Sequence, residues 1–423
     1  MTRRVAVVGA GWAGLAAAVA CTASRHAVTV FEAARVPGGR ARTLPVRMPD
    51  GGLVDLDNGQ HILIGAYLET LRLMEQVGVV PAQAFLRLPL VLRHPDGMGI
   101  ALPLWPSPLD AAAGILGARG WSLRDKASLL RAAAGWQRAG FRCAPGTTVA
   151  QLCASLTPRI RAELIDPLCL SALNTPADRA CGEVFLRVLH DALFGRGHGS
   201  WGGSNLLLPR QDMGRIFPAA AQAWLQARGA QVRLGARVQG IARDRQAWLV
   251  DGEPFDEVVL ACPAPEAARL ARGVDAPWSG TADALTFEAI ATVYATDGPR
   301  LPLPMLALRT GPERPAQFVF DRSQLGGPEG LLAFVVSASE REREVIEAQV
   351  VLQARALGWN VQPLQTVVEK RATFACTPNL QRPGIAIAPG LWACGDYVQG
   401  PYPATLEGAV RTGLEVAGRI RAA

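Results

Sequence analysis

The chain has 423 residues, 49% apolar and 19% charged, which excludes a disordered polypeptide and exceeds what one simple core holds, so two or three domains are expected. Its net charge of +7 comes from 43 basic against 36 acidic residues, with Lys only at Lys126 and Lys370. The excess is scattered arginine, not the basic stripe with interleaved aromatics that nucleic-acid binding requires.

The opening residues Val5–Val8 predict a buried parallel strand. Gly9, Gly11 and Gly14 follow in G-x-G-x-x-G spacing, Leu15–Ala23 reads as a helix, and Val28–Phe31 reads as a second strand closed by Glu32. The glycines serve the tight turn, the approach of backbone to a pyrophosphate and close helix–strand packing, while the helix N-terminus offers N–H groups to phosphate. Glu32 lies near the position, about 20 residues on, where an acid accepts ribose hydroxyls. Strand, glycines, helix, strand and acid in register predict a dinucleotide site. Arg3 and Arg4 ahead of an apolar run imitate an export signal, but glycines at cofactor spacing inside that run argue for an unprocessed, cytoplasmic chain.

Further along, Gly38 and Gly39 let backbone pass tightly over a phosphate that Arg40 neutralises. Leu53–Leu63 reads as a strand broken at Asn58-Gly59, where Gln60 and His61 offer polar groups. Residues 66–200 read mainly as helices separated by prolines: a hairpin or loop at Arg93–Pro108, two helices in Ala111–Gly140, and an amphipathic helix over Cys181–Leu193. From Leu208 an α/β texture returns, with a helix at Ile216–Arg228 stopped by Gly229 and strands at Gln231–Ala236, Val238–Ala242, Ala247–Val250 and Phe255–Leu260. Strands at Phe287–Ala295, Phe318–Phe320 and Leu331–Val336 and a helix at Glu340–Leu357 follow. The strand Leu391–Ala393 runs into Gly395-Asp396, and Tyr402–Gly408 leads into the final helix. The eight cysteines form no C-x-x-C pair and sit in apolar contexts, as thiols in a reducing compartment do; the five histidines make no zinc pattern, and no metal is expected.

Glu32 six residues before Gly38-Gly39-Arg40, with Gly395-Asp396 and Glu407-Gly408-Ala409 at the end, resembles the FAD-binding amine oxidase and carotenoid desaturase superfamily over the whole chain. The resemblance implies an α/β fold: a discontinuous Rossmann-like FAD-binding domain of residues 1–65, 205–265 and 385–423, with an inserted α+β substrate domain of residues 66–204 and 266–384. It implies FAD rather than NAD, with the adenine half on Gly9–Gly14 and Glu32, Gly39 and Arg40 at the pyrophosphate, and Gly395 and Asp396 at the ribityl chain. The backbone around Leu406 would meet the pyrimidine carbonyl. Trp12, Ala13, Ala33, Gly59, Gln60, His61, Val238 and Thr405 complete the expected cofactor shell.

Leu56–Leu63 with Gly65-Ala66-Tyr67, Ser171–Pro176, and Glu369–Phe374 followed by Pro378 and Arg382-Pro383 resemble a narrower group, the squalene-associated FAD enzymes, which are hydroxysqualene dehydroxylases of bacterial hopanoid biosynthesis. That resemblance implies loss of an allylic hydroxyl as water, and hydride from reduced flavin N5 to the resulting cation, giving squalene. Aliphatic segments such as Leu102–Leu116 and Pro167–Leu173 are candidates for a dry tunnel with a membrane-facing mouth, and peripheral contact with the cytoplasmic membrane and association with upstream prenyl synthases are expected. His61 ranks first as the acid, Tyr402 second, and Asp57 is a candidate to orient His61. A carotenoid-type desaturase or an amine oxidase on the same fold are the alternatives.

Overall fold

The computed structural model describes residues 2–105, 108–245 and 247–422. The apolar runs at the N-terminus become the strands Arg4–Val8 and Ala27–Glu32, buried on both faces as a parallel sheet demands. They lie inside a six-stranded sheet whose spatial order is Gln231–Leu234, Ala27–Glu32, Arg4–Val8, Glu257–Leu260, Leu391–Ala393 and Ala386–Ala388. The first five strands are parallel and the last is antiparallel. Strands add first to one side of Arg4–Val8 and later to the other. The loop leaving its C-terminal end therefore lies at a topological switch point, where open parallel sheets bind ligands.

The two ends of the chain meet on this sheet. Helix Trp12–Ala23 packs against the last helix, Leu406–Ala422, through Gly413. A Cβ at Gly413 would lie 2.3 Å from the Ala13 carbonyl oxygen and 3.1 Å from Ala16 Cβ, so no larger residue permits this approach.

A second, antiparallel sheet runs in the order Met305–Ala307, Phe318–Asp321, Leu332–Ser337, Phe287–Thr296 and Gln362–Phe374. One face packs Val293 and Phe334 with Ile346 and Val350 of helix Arg343–Arg355; the other sends Tyr294 and Phe320 into the main core. The expected strands at Phe287–Ala295, Phe318–Phe320 and Leu331–Val336 are present to within a residue.

Four departures from expectation have physical causes. Gln362–Phe374 is a thirteen-residue strand that sequence reading passes over, because it is an edge strand with Lys370 and Arg371 exposed and is held by its partner Phe287–Thr296 alone. The stretch 66–200, read mainly as helices, also holds a strand, Phe85–Leu88, that pairs with Leu206–Pro209, and the hairpin or loop expected at Arg93–Pro108 is a hairpin that begins earlier, Val91–Arg93/Gly99–Ala101. Of the expected strand Val238–Ala242 only Ile241 onward is extended, since the N–H groups of Gln239 and Gly240 go to the Asp251 carboxylate instead of a ladder. Pro218 divides the helix expected over Ile216–Arg228 into Met213–Ile216 and Pro218–Gln226. The two helices expected in Ala111–Gly140 are Leu109–Leu116 and Leu123–Arg138, the second opened by a Ser122–Asp125 capping box. Residues 106 and 107 of the segment Leu102–Leu116 lie outside the described residues. Among the described residues no helix is long and apolar enough to cross a membrane.

Candidate active site

The glycine loop divides into structural and open positions. A Cβ on Gly9 would fall 2.7 Å from the Ala261 carbonyl oxygen, and one on Gly14 would fall 2.0 Å from the Gly9 carbonyl oxygen, so both serve close packing of strand, loop and helix. Gly11 has no protein atom within 4 Å of its Cβ position, and at Gly39 only Gly11 Cα comes near, at 3.3 Å. The two loops are tied by Gly38 N donating to Ala10 O at 2.8 Å. Between them is a cradle walled by backbone, at the N-terminus of helix Trp12–Ala23, which fits a pyrophosphate. Glu32 accepts from the N–H groups of Ala10 (2.7 Å) and Ala34 (2.8 Å), which fixes its carboxylate beside the loop with lone pairs left for a ribose. Buried Val238 lies just beyond Ala236, whose N–H donates to the Glu32 carbonyl at 2.8 Å, while Ala33 is exposed. Trp12 departs from expectation. Its ring is buried 4.7 Å from the Phe217 ring, so its side chain belongs to the core and only its backbone can meet a cofactor.

The C-terminal group joins this cradle directly. Arg40 donates to Asp396 Oδ1 at 2.5 Å, an ion pair across 356 positions of sequence, and also to the carbonyl of Ala372 at 2.5 Å. Arg382 donates to the carbonyls of Asp396 (2.6 Å), Val398, Gly400 (3.0 Å) and Tyr402 (2.8 Å), and so shapes the loop between Asp396 and the last helix. Gly395 is held by Thr412, whose hydroxyl accepts from its N–H at 3.0 Å and donates to its carbonyl at 3.1 Å. Thr405 caps the final helix, its hydroxyl accepting from Gly408 N at 3.1 Å, and Leu406 opens that helix. Glu407, 2% exposed, accepts from the N–H groups of Glu69 and Thr70, from the Thr70 hydroxyl and from Arg411. It thereby caps helix Leu68–Gln76, whose own N-cap residue, Tyr67, makes no side-chain cap. Arg382 and Glu407 carry no local signal for these roles, because their partners are distant in sequence.

The turn after Asp57 holds the polar groups expected near the reaction, in an arrangement that reorders them. Asp57 is 1% exposed; its Oδ1 accepts from Met213 N at 2.5 Å and its Oδ2 is buried without a partner. Burial first, and the neighbouring Asp212 in addition, push its carboxyl up to about 7 against the pull of the Met213 N–H and of Arg322. Asp57 thus anchors the head of helix Met213–Ile216 rather than orienting His61, and its backbone carbonyl accepts from Tyr294 at 3.0 Å. His61 is half-buried with Nδ1 unpartnered, and burial, aided by Arg40, drives its imidazole down to about 4 against a hydrogen bond with Gly59. A neutral imidazole is a poor proton donor, which argues against His61 as the acid. The Gln60 backbone N–H donates to Thr292 Oγ1 (3.3 Å), and its Oε1 accepts from Arg322 Nη1 (3.2 Å). Arg322 is a buried cation that sequence reading missed. Gly59 lies over the same Thr292, its Cβ position 3.9 Å from both Thr292 Oγ1 and His61 Cε1.

Tyr402 is likewise disfavoured as an acid. Its hydroxyl donates to Asp191 Oδ2 at 2.8 Å, and burial together with that carboxylate raises its pKa above the ordinary value. The motifs of the narrower resemblance fall together. Asn174 Nδ2 donates to Thr373 Oγ1 at 3.0 Å, and Thr175 Oγ1 accepts from Cys376 N at 3.0 Å. They pin the helical insert to the edge of the second sheet.

The family model described as "Flavin containing amine oxidoreductase" matches residues 12–421. The hydroxysqualene dehydroxylase of Rhodopseudomonas palustris is 29% identical over an alignment 451 positions long, covering 100% of this chain and 99% of that protein. The enzyme of the same name from Sinorhizobium fredii is 27% identical over an alignment 445 positions long, covering 99% and 98%. Among solved structures, an oxidoreductase from Methanosarcina mazei superposes with a TM-score of 0.74 at 17% identity, covering 98% of this chain and 100% of that one, a likeness of fold.

Proposed function

Because the chain belongs to the flavin containing amine oxidoreductase family and carries a cradle that fits FAD, we propose that it removes the hydroxyl of hydroxysqualene reductively to give squalene, in hopanoid biosynthesis. The observation that carries the reading is end-to-end similarity to hydroxysqualene dehydroxylases. In this reading residues 1–65, 205–265 and 385–423 form the flavin domain and residues 66–204 and 266–384 the substrate side. Backbone at Gly9, Gly11–Gly14 and Gly39 with Arg40 would hold the pyrophosphate, Glu32 the adenosine ribose, Asp396 the ribityl chain, and the helix start at Thr405 and Leu406 the pyrimidine. When bound, reduced FAD supplies hydride.

The chain's own part is to deliver a proton to a departing hydroxyl and to keep water out. Asp57 is the acid whose surroundings keep it protonated near neutrality, and the proton would reside on Oδ2, the oxygen without a partner. Neutral His61 and the Gln60–Arg322 pair offer polar atoms to the substrate hydroxyl at the same turn. The two lysines suit an amine oxidase poorly, since Lys126 donates to the Leu116 carbonyl in the helical insert and Lys370 is exposed on the edge strand. The substrate is a long isoprenoid. The enzyme would work in the cytoplasm at the inner face of the membrane, and would take substrate from the upstream prenyl synthases.

The test is anaerobic incubation of the FAD-loaded, chemically reduced protein with hydroxysqualene. Squalene is the expected product. Untouched hydroxysqualene, with turnover of an amine or a polyene instead, would transfer the reading to one of the alternatives.

A further inference from the structure

Helix Leu109–Leu116 is turned inside out relative to an ordinary surface helix. Its inward side buries Asp110, Gly114 and Ile115, and its outward positions are Leu109, Ala112 and Leu116. No polar side chain faces out from it, the reverse of the pattern that water selects. The next helix, Leu123–Arg138, continues the surface. Leu123 is 85% exposed and Leu130 follows on the same side two turns on. Lys126 joins the two helices through its hydrogen bond to the Leu116 carbonyl at 2.7 Å. Leu104 and Trp105, 64% and 59% exposed, precede them.

Along residues 97–142 the exposed charge has one sign. Between residues 97 and 142 the acids are Asp110 and Asp125, and both are buried. Asp125 is engaged in the cap with Ser122 and a bond from Thr157. Arg119, Arg124, Arg131 and Arg138 are exposed, the last three at seven-residue intervals along one side of the helix. Among the described residues none of these arginines, nor Lys126, lies within 4 Å of a carboxylate. Exposed leucines and a tryptophan rimmed by unneutralised cations match the layering of a bilayer face, with acyl chains below and anionic headgroups around them.

We propose that the outer face formed by helices Leu109–Leu116 and Leu123–Arg138 docks on an anionic phospholipid surface, apolar side chains inserted and arginines on the headgroups. The proposal leans on the dehydroxylase reading only in that squalene-like molecules reside in bilayers.

The test is co-sedimentation of the full FAD-loaded chain with vesicles of phosphatidylcholine alone or mixed with phosphatidylglycerol. Preference for the anionic vesicles, weakening as salt is added, is expected. Each basic residue near such a surface contributes about fivefold in partitioning, so Arg124→Gln with Arg131→Gln should cut binding about twenty- to thirtyfold while leaving turnover of micellar hydroxysqualene unchanged. Leu116→Ser with Leu123→Ser should release the protein from vesicles without lowering its melting temperature, since both side chains are exposed. Equal sedimentation with neutral and anionic vesicles, or variants that bind as the parent does, would overturn the proposal. So would a concentration-dependent dimer abolished by the leucine variants, which would assign the face to a second copy. Vesicle binding without turnover would sink the dehydroxylase reading alone, and turnover without vesicle binding the docking alone.

Discussion

Gly11 and Gly14 stand three residues apart and should fail in opposite ways. Gly11→Ala places its Cβ where no protein atom lies within 4 Å. The FAD-free fold should keep its melting temperature, while FAD affinity, read by flavin fluorescence titration, should fall about tenfold or more. Gly14→Ala brings a methyl group to 2.0 Å from the Gly9 carbonyl oxygen. It should destabilise the FAD-free protein itself by about 1–3 kcal/mol, seen by calorimetry. Asp57 and His61 form a second contrasting pair. Asp57 holds its proton to about 7 in the fold against an ordinary 3.8, so folding takes up a proton and its contribution to stability declines as pH rises from 3.8 to 7. His61 falls from 6.5 to about 4, so folding releases a proton and its contribution declines as pH drops from 6.5 to 4. The slopes oppose each other. In FAD-free protein, Asp57→Asn should make the melting temperature rise with pH across that window more steeply than in the parent, and His61→Gln should make it fall. Shifts of the same sign in both variants would refute these environments.

At the scale of elements, helix Leu68–Gln76 depends on a residue more than 300 positions away. Glu407→Ala removes the acceptor of two backbone N–H groups and a hydroxyl, those of Thr70 buried, and leaves Arg411 unpaired. A loss of about 3 kcal/mol is expected in denaturant titration, with Glu407→Gln recovering part of it. This distance also explains what the sequence conveys and what it hides. The βαβ opening was legible because its signals are contiguous: an apolar run, three spaced glycines, and an acid after the second strand. Strands buried on both faces, such as Leu332–Ser337, announced themselves by unbroken apolar content. The edge strand Gln362–Phe374 did not, since its exposed charges break the apolar run and only its partner reveals it. In the site, the glycines, Arg40 and Asp396 could be located by pattern, whereas the ion pair between the last two, the Arg382 clasp and the burial that inverts Asp57 and His61 arise only once distant segments pack.

For the molecule as a whole, the cofactor cradle is assembled from both termini, and its geometry rests on the contact of the first and last helices. Gly413→Val would thrust a side chain toward the Ala13 carbonyl, 2.3 Å from the Cβ position. Both the melting temperature and FAD affinity should drop, although residue 413 lies outside the glycine loop and the residues assigned to FAD; unchanged affinity would show that the helix pair is not the cradle's frame. The Arg40–Asp396 ion pair has a consequence for timing. Its two members leave the ribosome 356 codons apart, and at elongation rates of about 5–20 residues per second that separation is roughly 20 to 70 s. Throughout that interval the nascent nucleotide loop exists without its carboxylate partner, and the middle strand of the sheet waits for neighbours not yet synthesised. A nascent chain that has not reached Leu391–Asp396 therefore lacks both the Arg40 partner and one strand of the parallel sheet.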